Sequence, residues 1–148
     1  MTRPGTGGWS GTIASVIDDA SAERLRSAPL AWLTTVRADG QPQTSYVWFH
    51  HNGEDIVLLS QPNAPKIRNI EGNPRVSVNL DGDIVTGGGV LTLEGAAGLI
   101  GEMPSDRWFA YLAKYESRIR KGPWGTPDGF IAVFSSAIRI VPTRVRAW

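Results

Sequence analysis

From Ser60 to Asn69 the chain reads Ser-Gln-Pro-Asn-Ala-Pro-Lys-Ile-Arg-Asn. A hydroxyl closes an apolar run, a proline-bounded loop follows, and two bases, Lys66 and Arg68, stand at i and i+2 around the start of a short helix. Free N–H groups and cationic side chains converge at such a point, and that combination suits a phosphate. On charge alone, two ordinary surface bases explain the pattern equally well. A second row, Gly40-Gln41-Pro42-Gln43-Thr44-Ser45, can offer backbone and amide groups to a planar heterocycle, with Pro42 stiffening the turn. Hairpin chemistry by itself accounts for that row too.

Other chemistries are excluded or disfavoured. There is no cysteine, so disulfides, thiolate catalysis and Cys-ligated metal centres are ruled out. Gly5-Thr6-Gly7-Gly8 has no strand before it, and no Gly-Lys-Ser/Thr run exists, so neither a dinucleotide fingerprint nor a P-loop is present. His50 and His51 are adjacent. Neighbours on a strand point to opposite faces, so the two do not readily share a metal, and no metal site is expected. No nucleophile elbow marks a hydrolase serine.

The elements that must position these residues are mostly strands. A helix is expected over 15–27, ended by Pro29. Leu30–Arg37 reads as a strand, Asp39-Gly40 as a tight turn, Gln43–His50 as the return strand, Asn52-Gly53 as a second turn and Asp55–Ser60 as a third strand. Those three should form a meander. Lys66–Glu71 reads as a short helix, and Arg75–Asp81 alternates, with Val76, Val78 and Leu80 on one face. Val90–Ile100 is a strand with Gly95 and Gly98 as bend positions. The clearest helix covers 105–119, with Trp108, Leu112, Tyr115 and Ile119 on one face and Arg107, Lys114 and Arg118 elsewhere. A loop over 122–129 precedes a final strand over 130–141. Six strands with one firm helix imply a mainly β, six-stranded antiparallel barrel with a few flanking helices.

At 148 residues the chain is expected to be one domain, 13–148, behind a flexible leader, 1–12. No apolar run reaches the roughly 18 residues of a membrane span. A cytoplasmic protein without a nucleic-acid partner is expected from that and from a net charge of +1. The charge is uneven: 107–148 carries eight bases and two acids, a net +6, whereas 71–106 carries one base and six acids, a net −5. A basic end suits an anionic ligand or partner.

Taken together, Asp-Gly-Gln-Pro between two strands, a strand closing on Ser60, a proline-rich loop to Lys-x-x-Asn, and then Asn-Pro-Arg-Val-Ser-Val resemble the pyridoxamine-phosphate-oxidase-like split-barrel superfamily. The likeness is close from Leu30 to Leu80 and looser to the C-terminus. Within the superfamily the chain most resembles the small actinobacterial branch that uses the deazaflavin F-420. The resemblance implies that Lys66 holds a cofactor phosphate, with Ser60, Arg68 and the Asn69 of the same motif beside it. It implies that Gln41, Pro42 and Ser45 line the cofactor ring and that Val47 and Trp48 flank it. It further implies a homodimer with the cofactor in a shared groove, with Trp32, Trp48, Trp108, Trp124 and Trp148 as interface material. The resemblance is not expected to extend to the C-terminal substrate-binding region of true pyridoxamine-phosphate oxidases, so that activity is not the one expected. The expected activity is hydride transfer between F-420 and a small electron-poor substrate. Tyr46, His50 and solvent are the candidate proton donors, and the basic C-terminal residues Arg139, Arg144 and Arg146 are expected to form a cationic path for the F-420 tail. The alternatives are an FMN-binding oxidoreductase of the same fold and a cofactor carrier or ligand-sensing barrel without turnover.

Overall fold

The computed structural model describes residues 16–82, 85–86 and 88–147. The expected leader, Trp148 and parts of the 83–87 turn lie outside them. Eleven elements follow in chain order: α1 (Asp19–Ser27), β1 (Ala31–Val36), β2 (Pro42–Val47), β3 (His50–His51), β4 (Ile56–Ser60), α2 (Pro65–Gly72), β5 (Arg75–Leu80), β6 (Leu91–Gly101), α3 (Ser105–Lys121), α4 (Pro127–Val133) and β7 (Ser136–Ala147). The strands form one antiparallel sheet in the order β2-β1-β5-β6-β7-β4-β3.

That order explains the barrel. β2 and β3 are the two edges of the sheet, yet only Trp48 and Phe49 separate them in the chain. The sheet therefore curls until its edges meet. The return strand expected over 43–50 is in fact two strands, the first paired with β1 and the second with β4. The meander is corrected accordingly: β2 does not pair with β4, which lies between β3 and β7. The seventh strand is the two-residue β3, and the mainly β split barrel otherwise stands.

Two cores are built on opposite faces of β4. Its run Ile-Val-Leu-Leu is buried throughout. Ile56 and Leu58 point into the barrel with Leu33, Phe49, Val78 and Ile138, whereas Val57 and Leu59 point out to Tyr111, Tyr115, Ile119 and Phe130. A strand with both faces covered reads as a continuous apolar run because neither side of its two-residue period meets water. Gly95 sits at a register shift in the β6–β7 ladder. A Cβ there would stand 2.7 Å from the Val141 carbonyl oxygen, so the bend needs glycine. Gly98 has open space around it and lies at no shift.

The helices depart from expectation at their ends. Asp18 caps α1 by accepting from the Ser21 N–H at 2.7 Å, a cap hidden to a search for Ser/Thr-x-x-Glu. The segment expected to begin the last strand at Phe130 is helical instead: Thr126 caps it by accepting from Gly129 N–H, and Pro127 occupies its first turn. β7 starts only at Ser136 and runs to Ala147. The buried face of α3 is Arg107, Tyr111, Tyr115 and Ile119, strictly every fourth residue, so Trp108 and Leu112 flank it and Arg107 belongs to it. Among the described residues no helix is long and apolar enough to cross a membrane.

α3 also secures the crossover between the sheet edges. The Tyr115 hydroxyl accepts from Phe49 N–H at 2.9 Å and lies 2.9 Å from the Pro29 carbonyl oxygen. The Lys114 ammonium donates to the Phe49 carbonyl at 3.0 Å and lies over the Phe49 ring. Removing the hydroxyl strands a buried N–H, at a cost of about 1–3 kcal/mol. Tyr115→Phe is therefore expected to lower unfolding free energy by that amount in urea melts. A melt identical to that of the natural sequence would contradict the role.

Candidate functional site

A groove of about 380 Å³ opens between the β2 end, the β4–α2 loop and the α3–α4 pair. One wall is aromatic: Trp48 and Phe130 stack at 5.6 Å, Trp124 meets Phe130 edge-on at 5.0 Å, and Phe130 stacks on Phe134 at 4.6 Å. Trp124 is held from behind by two glycines. A Cβ on Gly122 would stand 2.6 Å from its ring, and one on Gly129 would stand 2.5 Å from its carbonyl oxygen. The β4–α2 loop and the start of α2 add the polar Ser60, Gln61 and Lys66 to the lining.

Lys66 is the only cation lining this groove among the described residues. It opens α2 just after Pro65. The Ala64 cap supplies no side-chain hydrogen bond. The Ala64 and Ile67 N–H groups bond to the Gln61 and Ala64 carbonyls and Pro65 has none, so the Lys66 N–H is the first-turn donor left for an outside acceptor. Among the described residues no hydrogen bond or ion pair involves the Lys66 ammonium, and burial lowers its pKa. A half-buried, unpaired ammonium beside an uncapped helix start is a site that favours an anion. Ser60 is buried, opposite Ser136 in the ladder, and donates to the Gln61 carbonyl at 2.9 Å. Its lone pairs remain free to accept.

The expected site residues divide. Val47, Trp48, Ser60, Lys66 and Tyr46 line the groove. Ser45 lies beside it, in a smaller depression of about 160 Å³ that shares Lys66. Asn69 borders that depression, but its amide donates to Thr35 Oγ1 and Gln43 Oε1, both at 2.9 Å, and so clips α2 to β1 and β2. Arg68 lines a separate depression with Arg37 and Asp39. Gln41 and Pro42 sit at the exposed β1–β2 turn, where the Gln41 N–H donates to Asp39 Oδ1 at 3.1 Å. Tyr46 stacks on Trp32, and its hydroxyl donates to Asp81 Oδ2 at 3.5 Å.

His50 does not join the groove. It borders a depression against α1, and its Nδ1 accepts from Arg107 Nε at 3.1 Å. Arg107 is buried and paired with Asp55 at 2.5 Å, while Arg139 holds the other Asp55 oxygen at 2.6 Å. Arg139, one of the three bases assigned to the anion path, is therefore tied to Asp55, as is Arg107 of the same basic end. Arg144 and Arg146 pair with the Leu91–Glu94 end of β6. That end of β7 is on the order of 25 Å along the strand from Ser136, at about 3.3 Å per residue. One protomer does not bring them to Lys66. Trp48, Trp108 and Trp124 are half-buried against the chain's own outer core.

Sequence reasoning missed Tyr111, Trp124, Phe130 and Phe134 as lining residues. For Phe130 and Phe134 the signal was Thr126-Pro127-Asp128, a cap followed by proline, which places α4 where a strand was expected. His51 was also missed. It is 3% exposed, and its Nε2 is buried without a hydrogen-bond partner. Burial lowers its pKa to about 4 from an ordinary 6.5. The folded state thus keeps His51 neutral, and its contribution is complete above pH 6.5 and lost as pH falls toward 4. The loss is on the order of 3 kcal/mol. Denaturant unfolding at pH 7 and pH 4.5 is expected to show that drop, and His51→Gln is expected to flatten it. An equal slope in both proteins would contradict the assignment.

A family model for pyridoxamine 5'-phosphate oxidase matches residues 17–148. Among solved structures, an F-420 reductase is 26% identical, with 84% of this chain and 94% of that chain aligned at a TM-score of 0.65. A conserved hypothetical protein from Mycobacterium tuberculosis is also 26% identical, over 90% of this chain and 86% of that one, at a TM-score of 0.68. The heme storage protein of Vibrio cholerae, 24% identical over 90% and 95% of the two chains with a TM-score of 0.62, shares the fold.

Proposed function

This chain belongs to the pyridoxamine 5'-phosphate oxidase family, and on that footing we propose that it is an oxidoreductase using the deazaflavin F-420 on a small electron-poor organic substrate. The observation that carries the reading is the groove itself. An unpaired Lys66 at a helix start without a side-chain cap and a set of stacked aromatic rings line the same groove. That pairing suits a flat ring bearing a phosphate. The likeness to an F-420 reductase supports the choice of cofactor.

When bound, the cofactor supplies the hydride chemistry at its ring. Lys66 would hold the phosphate, with its own backbone N–H and Ser60 beside it. Val47 and Trp48 set the plane of the ring, and Trp124 and Phe134 keep water from the reacting face. Ser45 lies along β2 toward the Gln41-Pro42 turn, which contacts the outer part of the ligand. A second copy of the chain completes the groove. The exposed Tyr46, Leu99, Phe109 and Val133 support a homodimer.

FMN is the second reading. The distance of Arg144 and Arg146 from Lys66 within one protomer removes the basic path that would favour the longer, more anionic F-420. Fluorescence titration with each cofactor separates the two. F-420 is expected to bind more tightly, and Lys66→Ala to weaken it about ten- to a hundredfold, because one charge-assisted bond is worth about 1.5–3 kcal/mol. Tighter FMN binding would transfer the assignment to FMN, and unchanged affinity in the variant would remove Lys66 from the site. Turnover of reduced cofactor with nitro or enone acceptors separates an enzyme from a carrier. Light scattering at micromolar concentration is expected to give twice the monomer mass, and a monomer would contradict the shared groove.

A further inference from the structure

Tyr111 is a buried tyrosine whose hydroxyl is left over. It is 1% exposed. Its ring packs between Trp108, Tyr115 and Phe130, with centroids 5.9, 4.9 and 6.2 Å away. Four residues on, Tyr115 uses its hydroxyl to bind the Phe49 backbone. The Tyr111 hydroxyl has no hydrogen-bond partner among the described residues. Nor is it one of the side-chain polar atoms sealed away without a partner, which are His51 Nε2 and Asn79 Oδ1. Yet Tyr111 lines the groove. With its ring enclosed by other rings, the part that reaches the groove is the hydroxyl. Burial raises its pKa, so it keeps its proton and acts as a donor.

We infer that Tyr111 is the specificity-determining hydrogen-bond donor of the groove, and that the ligand lying against it is a flat aromatic molecule with a carbonyl or nitro oxygen directed at α3. The inference rests on the proposed reading of the groove as the site of a planar ligand. The aromatic wall supplies stacking without direction. The Ser60 proton is already committed to the Gln61 carbonyl, and Lys66 supplies charge. Besides the Gln61 amide and the Trp48 and Trp124 indole N–H groups of the same lining, Tyr111 is the neutral donor whose hydroxyl is buried on α3 without a partner, and a rigidly held ring fixes its direction. A ligand without an acceptor strands a buried hydroxyl, and a pocket built to pair one discriminates strongly against such ligands. The acceptor belongs either to the cofactor's own ring or to the substrate.

The test uses Tyr111→Phe, which keeps the ring and removes only the unpaired group. Its melting temperature is expected to stay within error of the natural sequence, opposite to Tyr115→Phe. Anthraquinone-2-sulfonate and anthracene-2-sulfonate, matched in shape and charge, are titrated by tryptophan quenching. The quinone-to-anthracene affinity ratio is expected to fall about tenfold in Tyr111→Phe, through weaker quinone binding alone. Repeating the titration at saturating F-420 distinguishes the sources. A ratio that persists with the cofactor in place assigns the donor to the substrate. Competition, with weaker F-420 binding in the variant, assigns it to the cofactor ring. An unchanged ratio in the variant, with F-420 still bound by the natural sequence, overturns the role of Tyr111 and leaves the groove reading standing. Failure of both probes and F-420 to bind the natural sequence overturns the groove reading and this inference with it. A large loss of thermal stability in Tyr111→Phe also overturns it, by showing the hydroxyl to be bonded within the fold.

Discussion

Trp48 and Phe49 belong to no strand, yet they join the two edges of the sheet, and Phe49 is fully buried. Backbone polar groups at such a place must be satisfied from outside the ladder. α3 supplies both partners from consecutive residues, Lys114 to the carbonyl and the Tyr115 hydroxyl to the N–H. The barrel closes only if α3 is seated, and α3 is seated by a buried ion pair as well as by packing. Arg107 binds Asp55 and the backbone of His50 and Asp55 from the first turn of the helix. Breaking such a pair from one side leaves an uncompensated charge, which costs far more than the pair itself contributes.

The groove follows from the same constraint. Fixing the crossover fixes Trp48, which stacks on Tyr115 at 4.8 Å with the rings 3° from parallel. Trp48 in turn is the surface on which Phe130 and Trp124 assemble. The aromatic wall is therefore an extension of the outer core that happens to border open space. The polar end is set independently, by the loop that leaves β4 at Ser60 and by Pro65, which starts α2 where Lys66 can face the opening. A rigid wall and a charged helix start, each held by a different part of the fold, make a pre-formed site.

Much of this was legible in the residues. Alternation gave β5, the apolar run gave β4, and the Asp-Gly turn gave the β1–β2 hairpin, because each depends on local periodicity or local backbone preference. Lys66 and Ser60 were legible because a loop-to-helix transition carries its own chemistry. The closure was not. Nothing local in Tyr-Val-Trp-Phe-His-His marks a strand that changes partners halfway, since the partners are β1 and β4 and the hydroxyl that pays for the break comes from residue 115. α4 was hidden for another reason: Phe-Ile-Ala-Val has strand-like composition, and only Thr126 and Pro127 before it state the helix. Arg107 reads as lying off the apolar face of α3 because its counterion, Asp55, is remote in sequence. Tertiary pairing overrode local pattern at the crossover and at Arg107, and a local cap overrode composition at α4.

The central claim is that Lys66, free in the protein alone, holds the phosphate of a cofactor whose ring lies on the Trp48 wall. Amine footprinting measures this residue by residue: the protein is acylated briefly with and without F-420, and each lysine is quantified by peptide mass. Lys66 is expected to react in the free protein and to be protected at saturating F-420, with Lys121 labelled equally in both. Equal labelling of Lys66 with and without bound F-420 would contradict the account.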